Sequence, residues 1–129
     1  MKQLIFIDDD QLVIDISKII IDSLPETANI DKFYFKSGDA FFQSIDTIDL
    51  TKENVMFLDL NMPGLDGWQV VDEIKDRNLL EHFSIYVLSS SLHPKDKERA
   101  DKHPCIEKYI EKPLSKAKLR ECLGVNVSV

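Results

Sequence analysis

Val55-Met56-Phe57-Leu58-Asp59-Leu60-Asn61-Met62-Pro63-Gly64-Leu65-Asp66-Gly67 sets four apolar residues directly before a carboxylate, then turns through Pro and Gly. An apolar run that short, bounded by turn residues, is the signature of a strand buried on both faces. A second run, Leu4-Ile5-Phe6-Ile7, ends as abruptly in Asp8-Asp9-Asp10. Two buried strands thus deliver acidic side chains to their C-terminal ends. In an open parallel sheet that edge is where ligands bind. Carboxylates gathered there repel one another unless a cation or a proton intervenes.

Working outward from these runs, strand and helix patterns alternate five times. The first strand covers about Gln3 to Ile7. Leu12, Ile16, Ile19 and Ile20 follow at helical spacing, and that helix stops near Leu24-Pro25. Ile30 to Phe35 reads as a second strand and Gly38 to Ile45 as a short helix carrying Phe41, Phe42 and Ile45. Strand three is Val55 to Leu58. The helix after it, Gly67 to Arg77, would bury Val70, Val71 and Ile74. Strand four is Ile85 to Leu88. Pro94 to His103 forms a helix with Pro at its first position. Lys108 to Glu111 is a fifth strand, and Ser115 to Leu123 a closing helix. Repeats of this kind give an α/β fold, one doubly wound five-stranded parallel sheet with five helices on its two faces. One domain over residues 1–124 and a short tail over 125–129 account for the chain.

Composition narrows the function. The 129 residues are 43% hydrophobic and 30% charged, values typical of a soluble globular domain. No apolar run approaches the roughly 18 residues of a membrane span, and the start is too short in apolar residues for a signal peptide. A cytoplasmic protein with no membrane partner is expected. The net charge of −7 disfavours nucleic acid, whose phosphates require clustered Lys and Arg. Lys95-Asp96-Lys97-Glu98-Arg99 alternates in sign and makes no basic patch. Cys105 and Cys122 lack the spacing of a zinc or redox pair, which leaves them as reduced thiols.

The strand ends also deliver Ser89-Ser90-Ser91 after strand four and Lys112-Pro113 after strand five. Carboxylates, hydroxyls and an ammonium therefore converge on one edge. Oxygen ligands of this type suit Mg²⁺, which takes one or two carboxylates and leaves room for phosphate oxygens. A carboxylate nucleophile can accept a phosphoryl group, and a cation with a lysine would offset the charge that develops on it.

On the pieces Phe6-Ile7-Asp8-Asp9-Asp10, Phe57 through Gly67, Val87-Leu88-Ser89-Ser90 and Tyr109-Ile110-Glu111-Lys112-Pro113, the sequence resembles the receiver domain of bacterial two-component response regulators. The resemblance covers nearly the whole chain and implies a flavodoxin-like fold. It implies Asp59 as phosphoacceptor, supplied by a sensor histidine kinase. Asp8 and Asp9 would hold Mg²⁺ together with Asp59 and the backbone carbonyl of Asn61. Ser89 would be the switch hydroxyl, Lys112 the phosphate-binding ammonium, and Tyr109 the aromatic residue whose rotamer follows Ser89. The bond before Pro113 is expected to be cis. With no output domain in view, a stand-alone switch is expected, docking on a downstream protein through the fourth helix, fifth strand and fifth helix, or passing the phosphoryl group to a histidine phosphotransfer protein.

Other roles compete residue by residue. Asp10 reads as the cap of the first helix, and Asp66-Gly67 as turn chemistry. Ser90 and Ser91 are loop hydroxyls, the latter matching a position that tunes adduct lifetime in the family. A degenerate receiver serving only as a binding scaffold would not need the full set of site residues. An Asp-nucleophile phosphatase typically has a second Asp two residues on, where this chain has Asn61. The fourth helix has Ala100 as its only apolar residue between Lys95 and His103. Helices are held mostly by a buried apolar face, so weak anchoring is expected there.

Overall fold

The computed structural model describes residues 2–89 and 94–124. Along the chain run β1 (Lys2–Ile7), α1 (Gln11–Asp22), β2 (Asp31–Phe35), α2 (Gly38–Gln43), β3 (Glu53–Leu58) and α3 (Gly67–Asp76). They are followed by β4 (Phe83–Ser89), α4 (Pro94–Lys102), β5 (Ile106–Glu111) and α5 (Lys116–Leu123). The five strands pair in parallel in the order β2-β1-β3-β4-β5, a flavodoxin-like sheet. The chain passes from β1 outward to β2 and then back across to β3. The crevice between β1 and β3 is therefore the point where the winding reverses.

Period-two alternation divides the core. Leu4 and Phe6 of β1, with Val55 and Phe57 of β3, pack with Ile14 and Ile21 of α1 and with Leu119 and Leu123 of α5. Ile5, Ile7, Met56 and Leu58 face the opposite way, against Phe41 of α2, Val70, Val71 and Ile74 of α3 and Ala100 of α4. Strands covered on both faces can be apolar without interruption, which is why the two quoted runs have no polar alternation.

Two expectations need correction. Leu12, Ile16 and Ile19 do not form the buried stripe of α1; they are 65%, 44% and 70% exposed. The face that packs on the sheet carries Ile14, Ser17 and Ile21. Apolar residues lie around most of this helix, so their spacing alone could not decide which stripe turns inward. Asp66 does more than shape a turn. Its carboxylate accepts the Gln69 N–H at 2.9 Å while Gln69 Oε1 accepts the Asp66 N–H at 2.9 Å, a reciprocal cap on α3.

Caps elsewhere follow expectation. Asp10 Oδ1 accepts from the Leu12 N–H at 2.9 Å, and Ser115 caps α5 through the Lys118 N–H. The Lys112–Pro113 bond is cis. Both cysteines are free, and burial pushes the Cys122 thiol up to about 12. No described helix is long and apolar enough to cross a membrane.

Candidate functional site

Asp8 and Asp9 follow directly on β1, and Asp59 follows directly on β3. The ladder pairs Ile7 with Leu58, and the Asp59 N–H donates to Ile7 O at 2.9 Å. Side by side at the reversal point, the two acidic endings cannot avoid each other. One carboxylate oxygen from each of Asp8, Asp9 and Asp59 lies within 4.8 Å of the others. Asp8 is fully buried and Asp59 is 5% exposed, whereas Asp9 opens to solvent.

Lys112 reaches the same place from the end of β5. Its Nζ stands 2.7 Å from Asp8 Oδ2 and 3.6 Å from Asp59 Oδ1. The backbone holds the loop in place, since the Lys112 N–H donates to Ser89 O at 2.9 Å. Ser89 is fully buried at the end of β4, paired across the ladder with Glu111. Tyr109 lies two residues before Glu111 on β5, half-buried against the core on the α3 and α4 face. Asn61 is exposed, and its N–H donates to Asp59 Oδ1 at 3.3 Å. Ser90 and Ser91 lie outside the described residues.

Electrostatics at this edge are unbalanced. Three carboxylates face one ammonium, leaving an excess of two negative charges in a largely buried cleft. Asp59 responds most: burial, then the neighbouring Asp8, raises its pKa from the ordinary 3.8 to about 7. Lys112 and the Asn61 N–H act in the opposite sense, and Asp9 adds a further small rise. The two oxygens of the Asp8 carboxylate are held differently. Its Oδ1 accepts from the Asp10 N–H at 2.9 Å, whereas the buried Oδ2 has no hydrogen-bond partner beyond the charge contact with Lys112.

A buried carboxylate oxygen without a hydrogen bond, among acids with excess negative charge, is a donor set that fits a small divalent cation. Hard oxygen ligands, few protein contacts and an open exposed side match Mg²⁺. The strand ends thus assemble an acidic cluster with a carboxylate of raised pKa at its centre and an ammonium at its wall. Such an arrangement can receive an anionic group on Asp59 and neutralise it from two sides.

Sequence reasoning named the described residues that meet here, but missed what surrounds them. Gly67 closes α3 against the site: a Cβ there would stand 2.7 Å from Asp59 O and 2.8 Å from Leu60 Cα. Glycine directly after a cap residue at a helix start was the available signal. A small groove of about 70 Å³ also runs beside Lys112, lined by Val13, Ile16, Ser17, Pro113 and Leu114. It continues the exposed apolar edge of α1.

Residues 4–124 match the family model of the response regulator receiver domain. Among curated proteins, the polar-differentiation response regulator DivK of Brucella ovis is 24% identical over 117 residues, 88% of this chain and 86% of DivK. Among solved structures, a two-component response regulator from Cytophaga hutchinsonii superposes with a TM-score of 0.80 at 26% identity, over 96% of this chain and 95% of that one. A response regulator receiver protein from Dyadobacter fermentans gives 0.82 at 21% identity, over 95% of each chain, a likeness of fold.

Proposed function

The chain belongs to the response regulator receiver family, and on that premise we propose that it is a phosphoacceptor switch whose acceptor is Asp59. The observation that carries this function is the position of Asp59: nearly buried, beside Asp8 and Asp9, and within 3.6 Å of the Lys112 ammonium. Asp8, Asp9, Asp59 and the Asn61 carbonyl would hold Mg²⁺. When bound, that ion supplies charge neutralisation to the anionic group and keeps Asp59 ionised.

The chemistry asked of this chain is brief. A carboxylate oxygen of Asp59 forms a bond to phosphorus while the bond from phosphorus to the donor's imidazole nitrogen breaks, and the imidazole departs with the electron pair. Lys112 exchanges part of its attraction to Asp8 for the incoming phosphoryl oxygens. Ser89, at the neighbouring strand end, donates its hydroxyl to one of them, and Tyr109 follows on the same side of the sheet. Hydrolysis of the resulting acyl phosphate returns Asp59 and inorganic phosphate.

Two surfaces serve two partners. The phosphodonor, a sensor histidine kinase or histidine phosphotransfer protein, docks over the exposed Leu12, Ile16 and Ile19 and the groove by Pro113. The support is an apolar helix edge that leads straight to Lys112. The downstream protein reads the opposite flank, where a cavity of about 270 Å³ is lined by Lys97, Lys108, Tyr109, Lys118 and Glu121.

Incubation with Mg²⁺ and acetyl phosphate, followed by intact mass measurement, tests the assignment. A base-labile gain of one phosphoryl group in the native protein, absent in Asp59→Asn and absent with EDTA, is expected. An adduct that survives in Asp59→Asn would refute it. Sustained turnover of unrelated phosphate esters would point to a phosphatase instead.

A further inference from the structure

Trp68 is the chain's one tryptophan, and phosphoryl chemistry gives it no task. It occupies the second position of α3, immediately after Gly67. Gly67 is fastened to the acceptor strand, with its N–H donating to Leu60 O at 3.0 Å and no room for a Cβ against the backbone of Asp59 and Leu60. Any shift of the Asp59–Leu60 backbone is therefore passed to the first turn of α3, where Trp68 is carried. Close-packed contacts of this kind transmit displacement because the packing does not compress.

The other side of Trp68 is α4. The Arg99 guanidinium stands 4.1 Å from the centre of its ring, and the imidazole of His103 is stacked on it at 6.2 Å and 30°. Arg99 lies in the last turn of α4 and His103 directly follows the end of the helix. His103 is itself fixed, because its Nδ1 accepts from the Cys105 N–H at 3.1 Å on the way into β5. Trp68 is 9% exposed under these two groups. The buried residue of α4 is Ala100 alone, a methyl group too small to hold a nine-residue helix. The aromatic clasp thus supplies the anchoring that the composition of α4 lacks.

We propose that the Trp68–Arg99–His103 clasp latches α4 onto α3 and couples its position to the state of Asp59 through Gly67. The coupling rests on the phosphoacceptor assignment above; the latch itself does not. Linkage makes the coupling reciprocal: if phosphorylation loosens the clasp, loosening the clasp favours phosphorylation. The bistable element is α4, a helix whose attachment is small enough to be exchanged.

Hydrogen exchange over residues 94–102 reads the latch, with α1 as internal reference. Arg99→Ala, at an exposed position, and His103→Ala, at a partly buried one, should each speed α4 exchange by about tenfold and leave α1 unchanged. Exchange identical to the native protein in both variants would overturn the latch. The coupling is read separately from Trp68 emission. Acetyl phosphate with Mg²⁺ should change it in the native protein and not in Asp59→Asn given the same Mg²⁺. Acetyl phosphate should also label Arg99→Ala roughly two- to fivefold faster than the native protein. Unchanged emission in protein that mass measurement shows to be phosphorylated would overturn the coupling. If the native protein takes up no phosphoryl group, it is the phosphoacceptor assignment that fails, and exchange still decides the latch.

Discussion

Both edges of the sheet bury polar side chains, and they leave them in opposite conditions. At the N-terminal edge, Gln3 and Asn54 are paired in the ladder and nearly inaccessible. Gln3 Nε2 donates to Asn54 Oδ1 at 2.8 Å, and Asn54 Nδ2 donates to the carbonyls of Lys52 and His82, each at 3.2 Å. These groups are neutral and fully engaged. At the C-terminal edge, Asp8, Asp9 and Asp59 crowd one lysine, and a buried carboxylate oxygen lacks a hydrogen bond. The first edge is finished by the chain itself. The second gathers more negative than positive charge, and that imbalance marks the candidate site. Buried charge of one sign is costly unless a cation or a proton offsets it.

Substitutions at the two edges should therefore separate stability from chemistry. The largest effect is expected for Lys112→Ala, which removes the one ammonium facing Asp59. Labelling by acetyl phosphate should slow about 10²-fold, measured by mass against time, as for loss of one preorganised charge-stabilising group. A slowing of less than about threefold would show that the lysine only balances Asp8.

Asn54→Ala should do the reverse. It removes the Asn54 acceptor of the Gln3 amide and the donor to the Lys52 and His82 carbonyls, and should cost about 1–3 kcal/mol in urea unfolding, with the labelling rate unchanged. A loss of labelling would mean that the two edges are not independent.

Acidity sharpens the contrast further. Asp59 has an ordinary pKa of 3.8 and about 7 in the fold. Between those values the native state holds a proton that the unfolded chain has released, so without divalent cation stability falls as pH rises through this window and levels off above it. Asp59→Asn abolishes that slope. Relative to the native protein it should gain on the order of 2 kcal/mol between pH 5 and pH 8 in EDTA, by urea unfolding at both pH values. Parallel stability curves for the two proteins would contradict the raised pKa of Asp59.

The smallest effect is expected on α1. Ile19→Ser at a 70% exposed position should change stability by no more than about 0.5 kcal/mol, whereas Ile14→Ala on the packed face should cost about 2–5 kcal/mol. Equal losses would restore the apolar stripe that spacing suggested.

Most of the fold was legible because its signals are local. Apolar runs of strand length, glycine and proline at their ends, and caps such as Asp10 and Ser115 placed all ten elements to within a few residues. The expected strand five began two residues late, at Lys108, since it starts beside a shift in the β4–β5 register. The cleft was legible for the same reason: Asp8, Asp59, Ser89 and Lys112 stand at strand ends, and parallel strands bring their ends together. What was not legible depended on neighbours far away in sequence. Nothing local marks Trp68 as the support of α4, because Arg99 and His103 lie more than thirty positions on. Nothing in the spacing of Leu12, Ile16 and Ile19 shows that α5 and the sheet take the other face of α1.

By itself the sequence determined the element order, the parallel sheet, and the residues that meet at its C-terminal edge, since alternation, turn chemistry and strand polarity act over a few residues. Only the tertiary structure decided the rest. It chose which side of α1 is buried, closed α3 onto the Asp59 backbone at Gly67, and set Trp68 under Arg99 and His103. It also gave Asp59 its raised pKa, because burial and the approach of Asp8 arise only when β1 and β3 lie side by side.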